Sequence, residues 1–158
     1  MESTYSALSK EPPMHYHPDS AEDFRIISGR IKVRMDNKIS VYKAGESFHI
    51  SPNRIHSIWN DGESKAAVNW KVTRPMNTEF LLETMFALVN DGKVNEQGTP
   101  RFLQMVLTAG KFNNVLRLAR PPFALQRIVF VLLKPFAYAL GYRPYYKRYL
   151  SLKKGQQV

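Results

Sequence analysis

The sequence predicts a mainly β protein, a small antiparallel barrel of the jelly-roll kind, followed by an α-helical C-terminal extension. Three observations carry the prediction. Between residues 22 and 72 apolar and polar residues alternate in short runs, broken by turn residues about every ten positions. After Pro75 the apolar spacing becomes that of helices. Strands therefore come first and helices second, which divides the chain into a barrel over 1–75 and a helical, strongly basic part over 76–158.

Each element has a local reason. In "RIKVRM" Ile31, Val33 and Met35 alternate with Arg30, Lys32 and Arg34, the mark of a strand with one buried face. "DNK" has hairpin-turn chemistry, and Ile39 and Val41 resume the alternation. "KAGE" is a further turn, "SFHI" a strand with Phe48 and Ile50 on one face, and "IHSIW" another. "NDGES" turns the chain into "AAVNWKV", where Ala66, Val68, Trp70 and Val72 share a face. Beyond Pro75, "NTEFLLETMFALVNDG" reads as a helix with an Asn/Thr cap and a glycine stop. "GTPRFLQMVLTAGKFNNVLRLAR" predicts a second helix, with Thr99 as N-cap and Pro100 at its first position. "PPFALQRIVFVLLKPFAYALGYRP" predicts a third, broken or kinked before Pro135.

The totals narrow the function. At 158 residues the chain is one domain, or one domain with an appendage. It has no cysteine, which excludes disulfides and thiolate metal sites and leaves nitrogen and oxygen ligands. The start "MESTYSALSK" lacks the apolar core of a secretory signal, so the expected compartment is the cytoplasm. Residues 1 to 70 hold nine Lys and Arg against nine Asp and Glu, while residues 71 to 158 hold fourteen against four. The second half therefore calls for an anionic partner.

One stretch carries chemistry. In "HYHPDSAEDFRIISG" His15 and His17 are two positions apart, which puts both side chains on one face of a strand. Glu22 follows after a short turn and shares parity with Phe24 and Ile26. His56, after the "SPNR" loop, lies on a strand that a hairpin neighbour can bring alongside. Three imidazoles and a carboxylate suit one divalent transition ion, Fe, Mn, Ni, Cu or Zn, with positions left open for water, substrate or dioxygen. Phe24, Ile26, Phe48, Ile58 and Trp70 are the expected lining of a pocket around that ion, or, on the plainer reading, ordinary barrel core. His49 has the opposite parity and is expected at the surface.

These residues resemble the two motifs of the cupin family. The first runs His-x-His, three or four residues, Glu, six residues, Gly, and is matched by His15, His17, Glu22 and Gly29. The second runs from Gly45 through Ser51-Pro52-Asn53, where the family has Pro-x-Gly, to His56 and Asn60. Ser9 stands where the family often has glycine. The resemblance covers about residues 9 to 72 and implies a small barrel holding a metal on His15, His17, Glu22 and His56. It implies a small-molecule metalloenzyme of oxygenase, isomerase or lyase type, or alternatively a non-catalytic module that binds or senses a small ligand. No catalytic base can be named from the sequence. Only fourteen residues precede His15, so the sheet needs "STYSAL" as a strand or a second subunit to complete it, and a homodimer is expected.

The basic half offers further partners. Arg120, Arg127 and Lys134 are spaced by seven, with Arg117 one turn earlier, as one stripe of the third helix. Residues 117–154 suit either helices covering the barrel with cations in solvent, or attachment to an anionic membrane at its inner face. Nucleic acid is disfavoured, since no helix-turn-helix or stacking motif is present.

Overall fold

A computed structural model describes residues 1–95 and 99–145. Nine strands and three helices follow one another among these residues: β1 Glu2–Tyr5, β2 His15–Tyr16, β3 Ala21–Ser28, β4 Arg30–Met35, β5 Lys38–Lys43, β6 Ser47–Ile50, β7 His56–Trp59, β8 Ala66–Thr73, α1 Thr78–Asn90, α2 Phe102–Lys111, β9 Arg117–Leu118 and α3 Phe123–Ala139. The strands form a four-stranded sheet, β1-β8-β3-β6, and a five-stranded sheet, β5-β4-β7-β2-β9, antiparallel throughout.

Alternation decides which side of each strand is buried. Phe24 and Ile26 of β3, Ile31 and Val33 of β4, Phe48 and Ile50 of β6, and Ala66 and Val68 of β8 make the core, with Tyr5, Met35, Tyr42, Ile58 and Trp70 packed against it. Two turns set the registers. Gly29 joins β3 to β4 at φ +74°, and a Cβ there would stand 2.9 Å from the Ala66 Cα, so both conformation and space require glycine. Asp36 and Asn37, at φ 47° and 66°, close the β4–β5 hairpin, with Met35 opposite Lys38. That register places Ile39 and Val41 opposite Arg34 and Lys32 on the outer face, both 44% exposed, and turns Tyr42 inward.

Two compact units result, one of Met1–Arg74 with Arg117–Arg120, the other of Pro75–Leu116 with the described residues from Pro121 on. The missing neighbour of β2 is supplied within the chain. β9 pairs Leu118 with His15 and Arg117 with Tyr16, and the Ala119 N–H donates to the Met14 carbonyl at 2.9 Å. At the other sheet "STYSAL" does supply a strand, with Tyr5 opposite Ala66.

In the helical unit three details differ from expectation. The second helix begins at Phe102 with Arg101 in the cap position, because Val94 and Pro100 bridge and the Thr99 N–H is taken by the Asn95 side chain. It stops at Lys111, and the "LRL" beyond it enters β9 instead. Arg117 and Arg120 therefore lie off the third helix, which starts after Pro121-Pro122 and runs unbroken through Pro135. Among the described residues no helix is long and apolar enough to cross a membrane. The basic, tyrosine-rich tail from residue 146 lies outside the described residues.

Candidate metal centre

The first unit gathers the sequence-predicted side chains at one place. His15 of β2 is the direct cross-strand partner of His56 of β7, so a single register sets two of them side by side. His17 follows β2, where the Asn53 N–H donates to its carbonyl at 2.8 Å and the Asn53 side chain donates to the Pro18 carbonyl at 2.9 Å. Asn53 adopts φ +63° in the loop where the resemblance leads one to look for glycine, and asparagine is the residue after glycine that best tolerates it. Glu22 comes from the other sheet, between Ile50 of β6 and Val72 of β8.

The geometry is tight. The three imidazoles offer ligand atoms that all lie within 4.8 Å of one another. Ring centroids are 4.5 Å apart for His15 and His56, 5.3 Å for His15 and His17, and 5.4 Å for His17 and His56. Glu22 Oε2 stands 3.2 Å from His56 Nε2 and 3.4 Å from His17 Nε2.

Backbone carbonyls fix two tautomers. His15 Nδ1 donates to the Pro13 carbonyl at 3.1 Å, and His56 Nδ1 donates to the Arg54 carbonyl at 2.8 Å. A carbonyl only accepts, so in each neutral ring the proton is on Nδ1 and the lone pair on Nε2. His56 then points a lone pair at a carboxylate oxygen, and Glu22 Oε2 is buried without a hydrogen-bond partner. Facing lone pairs repel unless a cation stands between them. The donor set and the orphaned oxygen both fit a metal ion.

Electrostatics follow the burial. The His15 imidazole is pulled down to about 4, first by loss of solvent and then by His56 and His17. At Glu22 burial raises the carboxyl, but the imidazoles beside it, His56 foremost, more than offset this when they carry a proton and hold it below the ordinary range. An unfolded histidine titrates near 6.5, so as pH falls the unfolded chain takes up a proton before the folded one does. The metal-free protein is therefore expected to keep full stability above about pH 6.5 and to lose up to about 3 kcal/mol between there and pH 4 through His15. Glu22 adds loss in the same direction at lower pH. Urea midpoints of chelated protein across this range would show it, and a His15→Gln variant should flatten the slope. A midpoint independent of pH would refute the assignment.

The remaining predicted side chains form a row beside the site. Phe24 is 4.8 Å from Phe48 and 5.9 Å from Trp70, ring to ring, and Tyr42 lies 4.5 Å from Phe48. Ile26 is buried in the same core and Ile58 is partly buried against it. His49 is exposed and bonded to Asp23 at 2.7 Å, on the outer face.

Two polar groups belong to this interior, on Tyr5, which sequence reading missed, and on Trp70, which it named as pocket lining. The Tyr5 phenol is pushed up to about 12 by burial and by the negative charge of Glu22. The Trp70 indole N–H is buried with no hydrogen-bond partner. Each sits in a strand at an inward position, but nothing in the alternation separates a polar interior role from plain packing.

Residues 4–71 match the family model of the cupin domain, a likeness that covers the barrel and stops short of the helices. Among solved structures it is similar to a cupin protein from Bacteroides fragilis, at 21% identity over 45% of this chain and 59% of that one, with a TM-score of 0.41. A predicted oxalate decarboxylase from Thermotoga maritima matches at 20% identity over 45% and 61%, TM-score 0.41. The cupin domain of Schizosaccharomyces pombe Cnp3 matches at 19% over 49% and 58%, TM-score 0.43. The chain thus spans less than two thirds of the length of each of these structures. No curated protein matches it.

Proposed function

We propose that this chain is a cupin metalloprotein that binds one divalent transition ion, of the Fe, Mn, Ni, Cu or Zn group, on His15, His17, Glu22 and His56, and acts on a small organic molecule in the barrel. The observation that carries the proposal is the buried Glu22 Oε2, without a hydrogen-bond partner and flanked by the Nε2 atoms of His17 and His56. When bound, such an ion supplies Lewis-acid polarisation or a site for dioxygen chemistry. The chain's own part is to hold two lone pairs in place through the Pro13 and Arg54 carbonyls and to exclude water with the Phe24–Phe48–Trp70 row. Tyr5 and Trp70 supply hydrogen-bond donors for an oxygen-bearing ligand.

Elemental mass spectrometry on tag-free protein purified without chelator tests this. One equivalent of a transition metal, or one taken up on reconstitution, is expected. No metal in either state would end the metalloenzyme reading and leave a barrel that binds a small ligand without one.

A further inference from the structure

Helix α3 shows its apolar residues to solvent. Leu125, Ile128, Leu132 and Phe136 are spaced by three, four and four, so they form one stripe along the helix, 48, 55, 62 and 64% exposed. Val131 beside the stripe is 71% exposed, and Leu140 just past the helix end is 68% exposed. The buried positions, Gln126 and Ala137, lie on the opposite side. A helix that turns its larger apolar side chains away from its own packing face calls for an apolar medium outside the protein.

The surrounding charge identifies that medium. Arg127 and Lys134 are seven apart and exposed, on the side of the helix turned away from the stripe. Lys134 also lines a cleft of about 320 Å³ between α2 and α3, with Lys111 across it. At the helix end Arg143 donates to the carbonyls of Tyr138 and Tyr142 and lies over the Tyr138 ring at 5.1 Å. No acidic residue follows Glu96 in the sequence, and the described carboxylates of this unit, Glu79, Glu83 and Asp91, belong to α1 and its end. A second copy docked through the same face would bring together two units of strong positive charge with no acid on α3 to offset it. Nucleic acid would leave the apolar stripe uncovered.

We propose that α3 is an interfacial membrane helix, which lays Leu125, Ile128, Leu132 and Phe136 into the surface of an anionic bilayer with Arg127, Lys134 and Lys111 at the headgroups. Its seventeen residues and internal cations suit lying in the interface, not crossing it. This inference stands apart from the metal site, and either can fail alone.

Co-sedimentation of the full chain with vesicles of phosphatidylcholine, with and without about one third phosphatidylglycerol, tests it. Binding to the anionic vesicles is expected to exceed binding to neutral ones at least about tenfold and to weaken with salt. Each cation near such a surface is worth roughly a fivefold gain, so Arg127→Gln with Lys134→Gln should weaken binding about twentyfold. Leu132→Ser with Phe136→Ser changes solvent-facing side chains and should weaken it at least tenfold at low salt. No binding at low ionic strength would overturn the proposal, as would full binding by the serine variant, which would mean charge alone. Concentration-dependent self-association that the serine variant abolishes, seen by analytical ultracentrifugation, would assign the stripe to a second copy instead.

Discussion

Replacing His56 with alanine is expected to lower the affinity for a divalent transition ion by at least about a hundredfold. His56 is the most buried of the three imidazoles, 1% exposed, and its Nε2 is both the nearest to Glu22 and held in direction by the Arg54 carbonyl. It is also the cross-strand partner of His15, so its loss removes one ligand and the neighbour that packs another. Calorimetric titration with zinc measures the affinity. Melting with and without the ion gives a second readout, because a ligand bound only by the folded state raises the midpoint with concentration. The wild type should show that shift and the variant should not. His49→Ala, on the outer face, serves as control and should leave both unchanged. Equal affinity in wild type and His56→Ala would remove the site.

Asn60→Ala is expected to destabilise the barrel by roughly 3–5 kcal/mol and to lower its melting point by more than about 10 °C. Asn60 is fully buried. Its side-chain amide donates to the Ser6 and Ser64 carbonyls at 3.1 and 2.8 Å, and its Oδ1 accepts from the Gly62 N–H at 2.9 Å. Its backbone N–H and carbonyl are both taken by Ser9. Alanine would strand three groups at once, the Gly62 N–H among them in a buried place. These bonds also hold the chain end that carries Tyr5 over the interior, so the variant should bind metal more weakly even where it remains folded. A loss below about 1 kcal/mol in chemical denaturation would mean that the network relaxes around the gap.

How much of this was legible in the sequence depends on the range of the contacts involved. Strands β3, β4, β6 and β8 could be read because each buries one face, and a period of two records that in the residues themselves. The histidine cluster could be read because the spacing of His15 and His17 mirrors their shared face. Asn60 was visible as a motif position, but its work as an anchor for the chain start was not, since its partners lie far away in sequence. Trp59 shows the limit of parity. It lies on the opposite face from Ile58 and yet is 8% exposed, beside the Arg34 guanidinium 6.0 Å from its ring centre. The same N-terminal stretch covers this face, with Glu11 bonded to Arg34 and to Ser57. Arg117 read as helical from its spacing to Arg120 and Arg127, because nothing local says that a two-residue run will pair with β2.

That pairing has a consequence for synthesis. His15 leaves the ribosome more than a hundred positions ahead of its neighbour Leu118. Closing so long a loop is slow compared with forming the β3–β4 and β4–β5 hairpins, whose partners are adjacent. A nascent chain can therefore build most of its barrel early and then wait, with the edge that carries His15 and Tyr16 unpaired, until helices α1 and α2 have been made. During that interval the strand beside the imidazoles is open to any passing backbone. The last residues to join the sheet are the ones that seal it.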